Sequence, residues 1–262
     1  PATMPQLIEF GNLIKRANNK KALFALNIES HNDDNVAGSK LMDSAANLAA
    51  ATDNQLTRIV KSDINIANCI VETITEENIT DVLVGIHKKN KFVDTFFGNT
   101  IERLLKETGQ TIFICSQKNP TNSVKRLIVV VPEKAELETG FAVWFDRVKN
   151  IATNLSIKLV FYGNKETNAA LKKLSGTYAD LMVSFRELES WEDFLIITKA
   201  VKPNDSVIII SARKGTLSYN PLFEKLPYYL TKYFTENNFA IVFPKQVQSG
   251  EKTGELFNPL HL

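Results

Sequence analysis

Short apolar runs alternate with segments of helical periodicity along the whole chain. Residues 4–18, MPQLIEFGNLIKRAN, place Leu7, Phe10, Ile14 and Ala17 on one helical face. KALFALNIES then reads as a buried strand, SKLMDSAANLAAATD as a helix through Leu41, Ala45 and Leu48, and LTRIVKSD as a strand. NIANCIVETITEEN is helical through Ile66, Ile70 and Ile74, DVLVG is a strand, and GNTIERLLKETG is a helix closed by Gly109. QTIFICSQ ends this half as a strand, and KNPTNS, residues 118–123, reads as a linker.

The pattern then restarts. RLIVVVPEK, SIKLVFYGN, YADLMVSF, DSVIIISARKG and NFAIVFPKQ are strands. Between them GFAVWFDRVKNIATN, TNAALKKLSG, WEDFLIITKAV and NPLFEKLPYYLTKYFTEN read as helices. The second half has five strands and the first has four, so the first lacks its opening strand. A domain-sized repeat is expected: residues 1–119, residues 124–246 and a C-terminal tail over 247–262. Near-continuous apolar strands alternating with helices predict an α/β fold, two doubly wound parallel-sheet sandwiches in tandem. Ligands of such sheets sit at the carboxyl ends of the strands. A chain opening on Pro1 and its first helix is expected to be a piece cut from a longer protein.

The chemistry then narrows the field. The 31 Lys and Arg nearly balance the 29 Asp and Glu, so no basic excess calls for nucleic acid. Cys69 falls in a helical pattern and Cys115 in a strand pattern, which predicts buried free thiols rather than a disulfide. No apolar run is long enough for a membrane-spanning helix, and no signal peptide is expected. There is no GxxxxGK[ST] loop, GxGxxG after a strand, GxSxG elbow or HExxH, and cysteine–histidine metal spacing is missing. The expectation is a protein that is not an enzyme, with no catalytic residue and no metal site. His31 in HNDDN and the adjacent Asp33 and Asp34 lack EF-hand spacing and read as a polar loop. Trp144, Phe141 and Phe145 read as packing against the sheet.

The stretch VGIHKKNKFVDTFFGNTIERLL, residues 84–105, runs from a strand through a basic segment into a helix. This spacing and the strand plan resemble the universal stress protein domain, an adenine nucleotide alpha hydrolase-like fold. Its nucleotide-binding members carry a glycine, two residues, a second glycine, nine residues, then glycine and serine or threonine. Gly85 and Gly98 match the first and third positions; Lys88 stands at the second, Asn99 at the hydroxyl position, and Thr100 one residue late. The resemblance implies a nucleotide cradle of Gly85, His87, Lys88, Gly98, Asn99 and Thr100, altered in part of its chemistry. Glycines there let backbone approach phosphate, and the helix N-terminus offers unpaired N–H groups. The ligand implied is ATP, AMP or a cyclic dinucleotide, held weakly. The equivalent positions of the second half are Ser211, Lys214 and Glu224, with Lys134 where family members often carry an acid, so that half is expected not to bind ATP in the family manner.

The layout also resembles the cytoplasmic C-terminal region of bacterial monovalent cation:proton (Na+/H+) antiporters. That resemblance implies a regulatory and interaction region at the cytoplasmic face of the inner membrane. Its partner would be the transporter domain of the same polypeptide, and a homodimer is compatible with it. The alternative is a free-standing tandem universal stress protein that binds ATP or AMP. The family's habit of pairing through its last strand implies that QTIFICSQ and NFAIVFPKQ meet.

Overall fold

The computed structural model describes residues 4–16, 22–29, 42–44, 46–47, 50, 55–63, 65–86 and 98–247. The first half runs α1 (Met4–Ile14), β1 (Leu23–Glu29), β2 (Leu56–Ser62), α2 (Ile66–Glu76), β3 (Asp81–Gly85), α3 (Gly98–Glu107) and β4 (Thr111–Ser116). The second runs β5 (Arg126–Val130), α4 (Phe141–Leu155), β6 (Lys158–Gly163), α5 (Lys165–Ser175), β7 (Val183–Glu187), α6 (Ile197–Ala200), β8 (Asp205–Ile210), α7 (Leu226–Tyr233) and β9 (Asn238–Phe243).

Seven strands form one sheet in the order β3-β4-β9-β8-β5-β6-β7, and β1 and β2 form a separate parallel pair. Among the described residues every ladder is parallel except β4–β9, which is antiparallel from Ile112↔Phe243 to Ser116↔Phe239. This is the junction expected of QTIFICSQ and NFAIVFPKQ, and it makes one sheet from strands of both halves. Asn238 fastens the crossing: its Oδ1 accepts from the backbone N–H groups of Lys118 and Asn119, and its Nδ2 donates to the Asn119 carbonyl.

The apolar runs become central strands because alternate side chains bury on opposite faces. Leu127, Val129 and Val131 join Trp144, Phe145 and Phe161 on one face. Ile128 and Val130 join Trp191, Phe194 and Phe234 on the other. Trp144 and Phe145 are thus core residues, as expected. Cys69 and Cys115 are both buried free thiols, and burial pushes both pKa values up.

Helix boundaries follow local chemistry. Asn65 and Asn164 cap α2 and α5 by accepting from Asn68 N–H and Thr167 N–H. WEDFLIITKAV, expected to be one helix, is a 3-10 turn over Trp191–Ile196 followed by the short α6. The tighter winding eclipses residues three apart, and the rings of Trp191 and Phe194 stack at 5.2 Å. NPLFEKLPYYLTKYFTEN also divides: a 3-10 turn covers Pro221–Lys225, and α7 opens with Pro227 in its first turn. A proline has no N–H to donate there and needs none. Between the halves, α1 lies on α4. Asn150 donates to the Ile14 carbonyl, and Asn154, one turn on, donates to the carbonyls of Leu13 and Lys15, satisfying the end of α1.

Candidate functional site

Gly85 ends β3 opposite Cys115, and the next amide, Ile86, donates to the Cys115 carbonyl. Residues 87–97, which include His87, Lys88, Lys89 and Lys91, lie outside the described residues. Helix α3 then opens at Gly98 with a φ of +55°, and among the described residues outside its own helix no atom stands within 4 Å of where a Cβ would be. The left-handed backbone alone accounts for a glycine at this position. Asn99 is exposed and Thr100 half-buried in the first turn. That turn presents N–H groups without intrahelical partners and the positive end of the helix dipole. Four of the six expected cradle residues thus stand at the end of β3 and the start of α3. A hollow of about 370 Å³ lies instead beside Asn78, Thr80 and Thr108, at the opposite end of β3.

The corresponding loop of the second half is engaged by its own side chains. Ser211 continues the β8 ladder by donating its N–H to the Val242 carbonyl. Lys214 and Glu224, which stand at two of the family's glycine positions, pair at 2.8 Å, and Tyr219 also donates to Glu224. Glu224 thus faces a cation of its own loop. Glu138, 9 % exposed, reaches in from the segment after β5. It accepts from the backbone N–H and hydroxyl of Ser218 and from Gln246 Nε2, at 2.8, 2.9 and 3.0 Å. Burial pushes the Glu138 carboxyl up, but the hydrogen bonds from Ser218, Gln246 and Thr216 outweigh it and hold it below its ordinary value. A carboxylate of the chain itself thus takes both donors of Ser218 in this loop. Sequence spacing directs attention to Lys134, which is left-handed at φ 62°; no motif marks Glu138.

Arg213, on the same loop, crosses to the first half. It is 8 % exposed and donates to the carbonyls of Leu105, Thr108 and Gln110 at 2.5, 2.6 and 2.6 Å. Burial lowers its pKa to about 10. Helix α3 is therefore held at its C-terminal end by the second half, while its N-terminal end forms the candidate cradle. A second network joins α1, β3 and α4. Asp146 accepts from Arg16, Lys149 and Arg147, and Arg147 turns back to Asp81 with two bonds. Among the described residues no group of three or more His, Cys, Asp and Glu could hold a metal ion, and no helix is long and apolar enough to cross a membrane.

This sheet order and the loops at its strand ends define the class to which the chain is similar. No protein-family model matches the sequence, and no curated protein matches it. Solved structures do. A universal stress protein from Archaeoglobus fulgidus is 12 % identical, with a TM-score of 0.59 over 93 % of this chain and 91 % of that one. A universal stress protein from Pseudomonas aeruginosa is 13 % identical, with a TM-score of 0.59 over 90 % of this chain and 87 % of that one. More particularly, the cytoplasmic domain of a prokaryotic cation chloride cotransporter is 11 % identical, with a TM-score of 0.61 over 94 % of this chain and 92 % of that one. The fold is therefore universal stress protein-like, and one structure of that fold is a transporter's cytoplasmic domain.

Proposed function

We propose that the chain is a non-catalytic regulatory and interaction region that acts on the membrane domain of a bacterial cation:proton antiporter from its cytoplasmic side. The observation that carries this reading is the likeness, over 94 % of the chain, to a domain that serves a cation transporter. The β4–β9 junction and the Arg213 bridge support it, because they tie both halves into one body that can bear on a neighbour. The test is cation-driven proton exchange in inverted membrane vesicles, with and without residues 1–262. Exchange should persist without the region, with its apparent ion affinity or pH threshold shifted roughly fivefold or more, the usual scale of allosteric coupling. A polypeptide that does not fractionate with membranes, or exchange unchanged in every respect, overturns the reading.

The left-handed Gly98 at the start of α3 favours a second reading, a universal stress protein that binds ATP or AMP at Gly85, Gly98, Asn99 and Thr100. On this reading, calorimetric titration with ATP, AMP and cyclic dinucleotides gives saturable heat at roughly millimolar Kd, worth about 4 kcal/mol. Gly98→Glu, which adds a negative charge where phosphate would approach, abolishes it without loss of the cooperative unfolding transition. Absence of heat at millimolar nucleotide refutes this reading and leaves the regulatory one standing.

A further inference from the structure

The hollow beside the amino end of β3 belongs to neither functional reading. It holds about 370 Å³ between the C-terminal half of α2, the turn that follows it and the end of α3. That volume lies within the roughly 300–1,000 Å³ of small-molecule sites. Its shape follows from how α2 stops. Asn78 is left-handed at φ 50°, Glu77 N–H donates to the Thr73 carbonyl, and Ile79 N–H donates to the Ile74 carbonyl. Ile79 is thereby folded back beside Ile74, and with Val71 the two give the hollow an apolar wall. Thr111 N–H donates to the Thr80 carbonyl and ties the turn to the start of β4.

The polar wall is rich in acceptors. Thr75 donates its hydroxyl to the Val71 carbonyl at 3.2 Å, Thr80 to the Asp81 carboxylate at 2.8 Å, and Thr108 to the Leu104 carbonyl at 2.7 Å. Carbonyls and carboxylates cannot donate back, so these three hydroxyl protons are committed and each oxygen can only accept from a ligand. Glu107 adds a carboxylate, which accepts from Arg103 Nε at 2.6 Å. The Oε1 of Gln110, in the same wall, has no partner among the described residues. Both helices also end here, and helix C-termini favour positive charge. At α3 the chain answers with a guanidinium of its own, since Arg213 takes the carbonyls of Leu105, Thr108 and Gln110 from the second half. At α2, Lys61 reaches the side chain of Glu76, but the last turn carries no basic residue.

We propose that this hollow is a binding site for a small organic amine. Its ammonium group donates to the threonine oxygens and to Glu107, and its carbon body lies against Val71, Ile74 and Ile79. An anion has no place there, because the committed hydroxyls offer it no proton and Glu107 repels it. The site stands at the far ends of β3 and α3 from Gly85 and Gly98, so it is separate from the candidate cradle. It is independent of both functional readings.

The test is titration of the whole chain with phenethylammonium, followed by the NMR shifts of backbone amides. Phenethyl alcohol and hydrocinnamate serve as neutral and anionic probes with the same ring. Phenethylammonium should shift the amides of Ile79, Thr80 and Gln110 saturably, with a Kd of roughly 1 mM for so small a ligand. The alcohol should bind about tenfold more weakly, because it lacks the charged donor. Hydrocinnamate should give no saturable shift at these amides. The amides of Ile208 and Ile241, in the middle of the main sheet, should stay in place. Thr75→Phe fills the hollow from an exposed position and should abolish the shifts while leaving the urea midpoint unchanged. Glu107→Gln should weaken binding about threefold, the scale of an exposed ion contact. Three results overturn the proposal: no saturation at concentrations about tenfold above that Kd, equal affinity for the amine and the alcohol, or binding that survives Thr75→Phe.

Discussion

Arg213→Met is expected to destabilise the protein by about 3 kcal/mol, read as a fall in the urea unfolding midpoint. The guanidinium reaches three carbonyls, and two of them, from Leu105 and Thr108, belong to the end of α3. Carbonyls in a last helical turn have no partner within the helix. Methionine fills the volume and deprives all three oxygens of this donor, the Thr108 carbonyl in a buried place and those of Leu105 and Gln110 in half-buried ones. Hydrogen bonds to a charged donor each contribute about 1.5–3 kcal/mol. Two considerations temper the sum. Removing the charge recovers the cost of burying it, which lowers the Arg213 pKa to about 10 with burial as its single cause. The Nε also has no partner among the described residues. Arg213→Lys keeps the charge but not the planar fork, so it should restore only about half of the loss. Because the contact joins the β8–α7 loop to α3, amide exchange in α3 should accelerate in the methionine variant while that of α5 stays constant. A loss below about 1 kcal/mol would mean that water satisfies these carbonyls without help.

How far such features can be read in advance depends on their range. The central strands RLIVV, DSVIII and NFAIVF announce themselves, because strands covered on both faces are apolar at nearly every position. Helix α4 and the core placement of Trp144 follow from periodicity. The glycine spacing leads to Gly98, whose positive φ is the property a glycine motif encodes. What stays hidden is set by chain crossings. Arg213 sits in SARKG and reads as one charge of a solvated loop; only the approach of α3, more than 100 residues earlier, buries it. Glu138 is one acid among several in EKAELETG, and its partner Ser218 is 80 residues away. The alternation of strands and helices does not reveal that β1 and β2 stand apart, since pairing is decided by neighbours distant in sequence. The 3-10 turn at Trp191 escapes for a local reason: apolar residues three apart suit an α-helix and a 3-10 helix alike.

The charge network between α1, β3 and α4 gives the other large effect, and it carries a pH signature. Asp146→Asn is expected to cost about 2–3 kcal/mol near neutral pH, below the range for breaking a fully buried pair. The size follows from unequal partners. Lys149 is only 12 % exposed and stands 2.8 Å from the carboxylate, so its charge is poorly served once the aspartate is gone. Its contact with the Tyr178 ring, 4.1 Å to the centroid, remains. Arg147 keeps both bonds to Asp81. Arg16 is 43 % exposed and returns to water, so Arg16→Ala alone should cost no more than about 1 kcal/mol. Burial pushes the Asp146 carboxyl up, but hydrogen bonds and charge from Lys149 and Arg16 outweigh it and hold it below its ordinary value. A carboxylate with a depressed folded pKa contributes stability above its unfolded pKa, about 3.9, and that contribution is lost as the pH falls through the folded value. The gap between the native protein and Asp146→Asn should therefore hold constant from pH 7 to about pH 5 and close below about pH 4. Urea midpoints across that range measure it. A gap that stays open into strong acid would assign the cost to lost packing or geometry, and remove the ion network as what fastens α1 to α4.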